Sequence, residues 1–170
     1  YVGSGYPAGA SVYVFAPDGS LLGEIPTDAR VQGVAFDQDG NLIVSAMESG
    51  TLSSYRLTGA DATPVAETGP PVLWTTEGGD DGFSKPGSIT VAPDGNLWVA
   101  DNGNSRFQIL APDGTAIEHW GEQGTGDGQF QLRVGPENDG FGTAVFAPDG
   151  TFFVLDSGNF RVQHFAADRS

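Results

Sequence analysis

Apolar residues in this chain come in short bursts rather than long runs. NLIVSA (41–46), NLWVA (96–100) and TFFVL (151–155) each lie between Gly-, Asp- and Pro-rich punctuation. Trp98, Phe107, Phe146, Phe152, Phe153 and Phe165 fall among small or polar residues within such segments. No window keeps a helical apolar period long enough to specify an amphipathic helix. Short strands with regular turn signals predict an all-β chain, with those aromatics packing between layers.

The turn markers impose a register. FDQDG, VAPDG and FAPDG end in Gly40, Gly95 and Gly150, at intervals of 55 residues. A second turn follows each after 19 residues, at Gly59, Gly114 and Arg169, in LTG, APDG and AADR. An earlier APDG ends in Gly19, which implies a preceding turn just before Tyr1. The segments VADNGNSRFQILAPDG (99–114) and VLDSGNFRVQHFAADR (154–169) share eight of sixteen positions. A repeat of this length sets the architecture before any site is argued.

Each unit reads as four strands. Strand a is SITV (88–91) or TAVF (143–146), and strand b is NLWVA or TFFVL. Strand c is RFQIL (106–110) or RVQHF (161–165), and strand d is TAIEHW (115–120) or, in the first unit, SLLGEI (20–25). Asp-Gly is expected to supply left-handed backbone to the hairpin turns, because Gly has no Cβ to clash and Asp tolerates that region. Pro before it fixes φ and contributes no donor. Repeated four-stranded antiparallel units are the blades of a β-propeller.

At this point the chain resembles the NHL-repeat family of six-bladed β-propellers. The D-x-G-N-x-R signature of that family occurs as DNGNSR (Asp101, Gly103, Asn104, Arg106) and DSGNFR (Asp156, Gly158, Asn159, Arg161). WGEQGTGDGQF (120–130) is similar to the family's connection between blades. The match is strongest over 85–168, weaker over 11–60 and loose over 60–84. In AMESGT, Ala46 and Thr51 replace the signature Asp and Arg. The resemblance divides the chain into a partial blade 1–28, blades 29–76 and 77–128, and a partial blade 129–170, an open arc or a fragment of a larger propeller. A closed ring of this kind needs roughly six blades. An open arc would carry unpaired β edges. The expectation is therefore a segment of a longer chain or of a larger assembly.

Composition then narrows the function. Net charge is −15, from 22 acidic residues against seven basic ones, of which only Lys85 is a lysine. Such a surface repels phosphate backbones, which argues against nucleic acid. The acidity reads first as solubility, with cation binding or an acidic docking face as further uses. There are no cysteines, which removes thiol catalysis, disulfides and thiolate metal sites. No run approaches the ~20 apolar residues of a membrane-spanning helix, so membrane insertion is not expected. High acidity, a single lysine and Gly/Pro-rich repeats fit a bacterial extracytoplasmic or secreted protein.

Candidate chemistry lies in the loops. In each signature copy, the Asp is expected to accept amides further along its own turn, Gly103 to take a positive φ, and Arg106 to reach a neighbouring carboxylate. Recurrence in successive blades makes these structural fasteners before it makes them a site. Three acidic loops join strand d of one blade to strand a of the next: Glu77, Asp80 and Asp81; Glu122 and Asp127; Glu137 and Asp139. They fall on one face of the disc and are the candidate binding residues. Oxygen-rich, Gly-containing loops suit Ca²⁺, although none follows the spacing of an EF-hand. Trp74, Phe83, Phe130 and Phe141 lie in or near these loops, as blade seals or as part of a contact surface.

Enzyme signatures are sparse. Gluconolactonase-type hydrolases and peptidyl-hydroxyglycine lyases are similar in outline, and that likeness implies a metal on the propeller axis. The corresponding inner-strand starts are Gln32-Gly33, Gly87-Ser88 and Gly142-Thr143, none carrying a carboxylate or imidazole. His119 and His164 are isolated in outer strands. No nucleophile elbow, P-loop or dinucleotide fingerprint occurs. The expected function is a non-catalytic NHL-like scaffold that binds a protein or ligand, with no assigned catalytic or metal residues and with a protein or additional blades as partner. The alternative is a fragment of a metal-dependent propeller enzyme.

Overall fold

The computed structural model describes residues 2–4, 10–27, 29–57, 71–133 and 141–170. Four antiparallel sheets succeed one another along the chain. The first contains β1 (Val2–Ser4), β2 (Ala10–Phe15) and β3 (Leu21–Thr27). The second contains β4 (Val31–Phe36), β5 (Leu42–Ala46), β6 (Thr51–Tyr55) and β7 (Val72–Thr76). The third contains β8 (Pro86–Val91), β9 (Leu97–Asp101), β10 (Arg106–Leu110) and β11 (Ala116–Trp120). A short parallel pair, β12 (Glu122–Gln123) and β13 (Gln129–Phe130), leads on toward the fourth. That last sheet contains β14 (Gly142–Phe146), β15 (Phe152–Asp156) and β16 (Arg161–Phe165). Every sheet is a meander in which sequence neighbours pair. Among the described residues there is no α-helix, and none is long and apolar enough to cross a membrane.

The hairpin turns arise from A-P-D-G. Gly114 N donates to Ala111 O at 2.9 Å and Ala111 N to Thr115 O at 2.8 Å. Gly19, Gly40, Gly95, Gly114 and Gly150 all have φ between 80° and 89°. The left-handed residue is the glycine alone, since no aspartate of these turns has a positive φ. The expectation that Asp shares that backbone is corrected: its carboxylate instead braces the turn, as where Asp113 Oδ1 accepts Thr115 N at 2.9 Å. In the last turn Arg169 takes the glycine's place at φ 70°. Gly59 lies outside the described residues.

Three apolar layers fill the gaps between sheets. Val12, Val14 and Ile25 meet Leu42 and Val44 between the first and second. Ile43 and Leu52 meet Ile89, Leu97, Val99 and Leu110 between the second and third. Trp98, Ala100, Phe107 and Ile109 meet Ala144, Phe152, Val154 and Phe165 between the third and fourth, with Phe130 and Leu132 alongside. This explains the unbroken apolar runs. All five residues of β5 and all five of β9 are buried, because both faces of each strand are covered. In β15 burial alternates: Phe153 is 45% exposed and stacks on His164, so it does not join the packing expected of it.

Strands of neighbouring sheets also bond directly. Ser45 Oγ on β5 donates to Gly87 O on β8 at 2.7 Å, and Ser88 Oγ and Thr90 Oγ1 on β8 donate to Gly142 O and Ala144 O on β14 at 2.6 and 2.7 Å. These bonds tie β8 to β5 on one side and to β14 on the other. At the opposite edge, Arg169 Nη2 donates to Glu118 Oε1 at 2.6 Å and its guanidinium lies 5.2 Å from the Trp98 ring centre.

Candidate functional site

In a four-stranded meander, the loop between the second and third strands opens on the same edge as the loop entering the first. The signature segments and the acidic loops therefore meet. Asp101 ends β9 and is fully buried. Its Oδ1 accepts Ser84 N at 2.7 Å. Its Oδ2 accepts Asn104 Nδ2 at 2.8 Å, Arg106 Nε at 3.1 Å and Gln108 Nε2 at 3.0 Å. The amide it captures thus comes from the loop preceding its blade, not from its own turn as expected. Arg106 Nη1 reaches Asp81 Oδ2 at 3.2 Å, which is the carboxylate sought for it on a neighbouring segment. Gln108 completes the frame by accepting Gly79 N at 2.9 Å and donating to Gly82 O at 2.7 Å.

The fourth sheet repeats the arrangement. Asp156 is fully buried, and its Oδ1 accepts Gln131 N at 2.7 Å. Asn159 Nδ2, Arg161 Nε and Gln163 Nε2 converge on its Oδ2 at 2.9, 2.8 and 3.2 Å. Arg161 and Gln163 then donate to Gln129 O, both at 2.9 Å. A buried carboxylate survives only when fully paired, and both are. The glutamine was missed in the sequence, although Gln108 and Gln163 each stand seven residues after the signature Asp.

Gly103 serves closeness rather than handedness. Its φ is not positive, but a Cβ there would stand 2.7 Å from the Ser84 carbonyl oxygen, to which Gly103 N donates at 2.7 Å. Gly158 N makes the equivalent bond to Gln131 O at 2.9 Å. The left-handed positions are Ser105 and Phe160, at φ 51° and 55°. In the second sheet, where Ala46 and Thr51 replace the signature, the polarity is exchanged. Arg30, on the entering loop, pairs with Glu48 on the β5–β6 turn at 3.3 Å, both side chains being partly exposed.

The acidic candidates lie on top of this frame. Glu77, Asp80, Asp81, Glu122 and Asp127 are exposed. Asp81 pairs with Arg106, and Glu122 accepts Gln129 Nε2 at 2.8 Å. Glu137 and Asp139 lie outside the described residues. Among the described residues no three Asp, Glu or His side chains converge as a metal cage. A cleft of about 330 Å³ opens beside the first loop, lined by Asp80, Asp81, Arg106, Ile117, Glu118 and His119. Arg169 donates to Glu118 and holds its carboxyl below the usual range, against a smaller opposing effect of burial. Of the loop aromatics, Phe130 is fully buried, Trp74 and Phe83 are half-buried as seals, and Phe141 is 50% exposed.

Sequence comparison matches the NHL repeat at residues 83–110 and 142–165. Peptidyl-glycine alpha-amidating monooxygenase A of Xenopus laevis is 30% identical over 145 residues, which is 80% of this chain and 14% of that protein. NHL repeat-containing protein 3 of Homo sapiens is 31% identical over 74 residues, 43% of this chain and 18% of the relative. Among solved structures, a streptogramin B lyase superposes with a TM-score of 0.63 at 15% identity. It is covered to 46% of its length by 94% of this chain. A candidate gluconolactonase gives a TM-score of 0.57 at 24% identity, with 93% of this chain and 46% of that one covered. The chain thus spans a small part of these curated relatives and about half of the structural neighbours. The two matched segments coincide with the two copies of the fastened Asp–Asn–Arg–Gln frame: the chain carries the NHL repeat at these two segments, and its sheets have the fold of β-propeller blades.

Proposed function

We propose that this chain is a non-catalytic NHL propeller scaffold, one segment over 1–170, that binds a protein or ligand partner through its acidic loop face. One observation carries the reading: the polar groups of both signature copies are consumed in fixing the loops, while Glu77, Asp80, Asp81, Glu122 and Asp127 remain outside as exposed anions. A rigid acidic rim favours basic partners through charge complementarity, which steers association and is screened by salt. Glu137 and Asp139 belong to the same proposed set by their place in the sequence, and Ca²⁺ is the cation such loops would take. The test uses the longest natural form of the protein with basic peptides as probe, at low and high ionic strength. Binding weakened by salt and by Asp80→Lys with Asp127→Lys supports the reading. Binding unchanged by both sinks it. A calcium titration followed by thermal midpoint tests the cation.

A second reading rests on the 30% identity to the amidating monooxygenase and on the likeness to the candidate gluconolactonase. On it, the chain belongs to a metal-dependent hydrolase or lyase whose ligands lie elsewhere in the protein. Lactone hydrolysis or hydroxyglycine cleavage by the natural protein, abolished by a chelator, would establish it.

A further inference from the structure

We propose that Met47 is a peroxide-sensitive modification site whose sulfoxide tightens the entry to the second sheet. None of its residues is an acidic-loop candidate, so the inference stands apart from what those loops bind. The 170 residues contain one methionine and no cysteine, which makes Met47 Sδ their single sulfur atom. Met47 follows β5 directly and is partly buried. The 55-residue register makes Asn102 and Ser157 its counterparts. Each of those presents an oxygen to a backbone amide. Asn102 Oδ1 accepts Gly142 N at 3.0 Å, and Ser157 Oγ accepts Phe141 N at 2.8 Å. Met47 has only a thioether in that place, which is a weak acceptor. What it faces is a strong donor: Arg30 Nη2 donates to Sδ at 2.6 Å.

Arg30 is short of an acceptor on that same edge of its guanidinium. Its Nε lies 3.3 Å from Glu48 Oε1, within ion-pair reach but out of line for a hydrogen bond. The atom is buried and has no hydrogen-bond partner among the described residues. Backbone bonds hold the groups in place. Met47 N donates to Arg30 O at 2.9 Å, and Arg30 N donates to Glu48 Oε2 at 2.9 Å. The planar Nε–Nη2 edge suits an oxygen that takes both protons. A peroxide supplies that oxygen. Sδ attacks hydrogen peroxide, an S–O bond forms as the O–O bond breaks, and the thioether gives up two electrons. The proton on the transferred oxygen passes through solvent to the departing hydroxide, which leaves as water. Methionine oxidation ordinarily places a polar group among apolar ones and loosens them. Here the neighbour is a guanidinium with an unmet donor, so the sign reverses and the segment entering β4 is held harder.

The test uses the longest natural form of the protein, with hydrogen peroxide as the probe. Peptide mass mapping should find one added oxygen on Met47. Oxidation should raise the midpoint of the transition that unfolds these sheets by about 2–4 °C. It should also slow solvent exchange of the Arg30 Nε proton at least about tenfold. Methionine sulfoxide reductases should reverse both changes, and Met47→Leu should show neither. Arg30→Lys keeps the charge but loses the paired edge, so oxidation should lower its midpoint. A lowered midpoint in the unsubstituted protein, or the same rise in Arg30→Lys, overturns the proposal. So does a Met47 left unmodified under conditions that oxidise a free methionine peptide. If Arg30→Lys does not fold, exchange at Nε in the unsubstituted protein decides, and an unchanged rate after oxidation overturns the proposal.

Discussion

Asp101 is worth more to this fold than any of the carboxylates around it. Removing it by Asp101→Ala strands an arginine, a glutamine and a backbone amide in a buried place. The expected loss is about 3–5 kcal/mol in urea unfolding, against under about 0.5 kcal/mol for exposed Asp80→Ala. Equal losses would show that the frame is not what holds the loop. The Asp and Arg were legible in the sequence because they recur at one spacing. Gln108 recurs at the same spacing but sits among apolar residues in RFQIL, where a single polar position carries no signal of the amide it will meet. Ser84 was illegible for a different reason, since its contribution is backbone and its partner lies 17 residues away.

At the level of strand and turn, the sequence was close to the structure. Each A-P-D-G closes a hairpin, and the expected strands form where the short apolar bursts lie. What escaped was which side chains lie beyond each turn. Gly114→Ala should destabilise more than Gly40→Ala, although both have left-handed φ. A Cβ at Gly114 would stand 2.7 Å from the Trp74 ring, whereas none of the surrounding atoms is within 4 Å at Gly40. Strain in the left-handed region costs about 1–2 kcal/mol at either site, and the clash adds to it only at the first. Matched denaturation curves would check the order. Arg169→Gly relieves the same strain but loses the bond to Glu118 and the contact with Trp98. Salt screens that bond in the original chain alone, so the variant's stability relative to the original should rise with ionic strength.

Over the molecule as a whole, acid should weaken the fold in a defined window. Asp18, Asp113 and Asp149 are held below 3.8 chiefly by hydrogen bonds from Ser20, Thr115 and Thr151, as Asp168 is by Ser170. A carboxyl with a lower pKa folded than unfolded stabilises above its unfolded value, and the effect is lost as pH falls through the folded one. Thermal midpoints should thus drop below about pH 4, and Asp149→Asn should flatten that drop. The 55-residue period made the propeller legible, whereas the ownership of the loops was not, because tertiary bonds decide it. Residues 79–84 belong energetically to the blade after them, and 124–131 likewise. The cooperative unit is therefore displaced from the sheet: it begins upstream, in the connection, and ends with the outer strand. In a nearest-neighbour chain of blades, a truncation made just before β8 would remove the third blade's fastening while sparing its strands. Cutting after Thr76 should yield a protease-resistant product, and cutting after Lys85 should not.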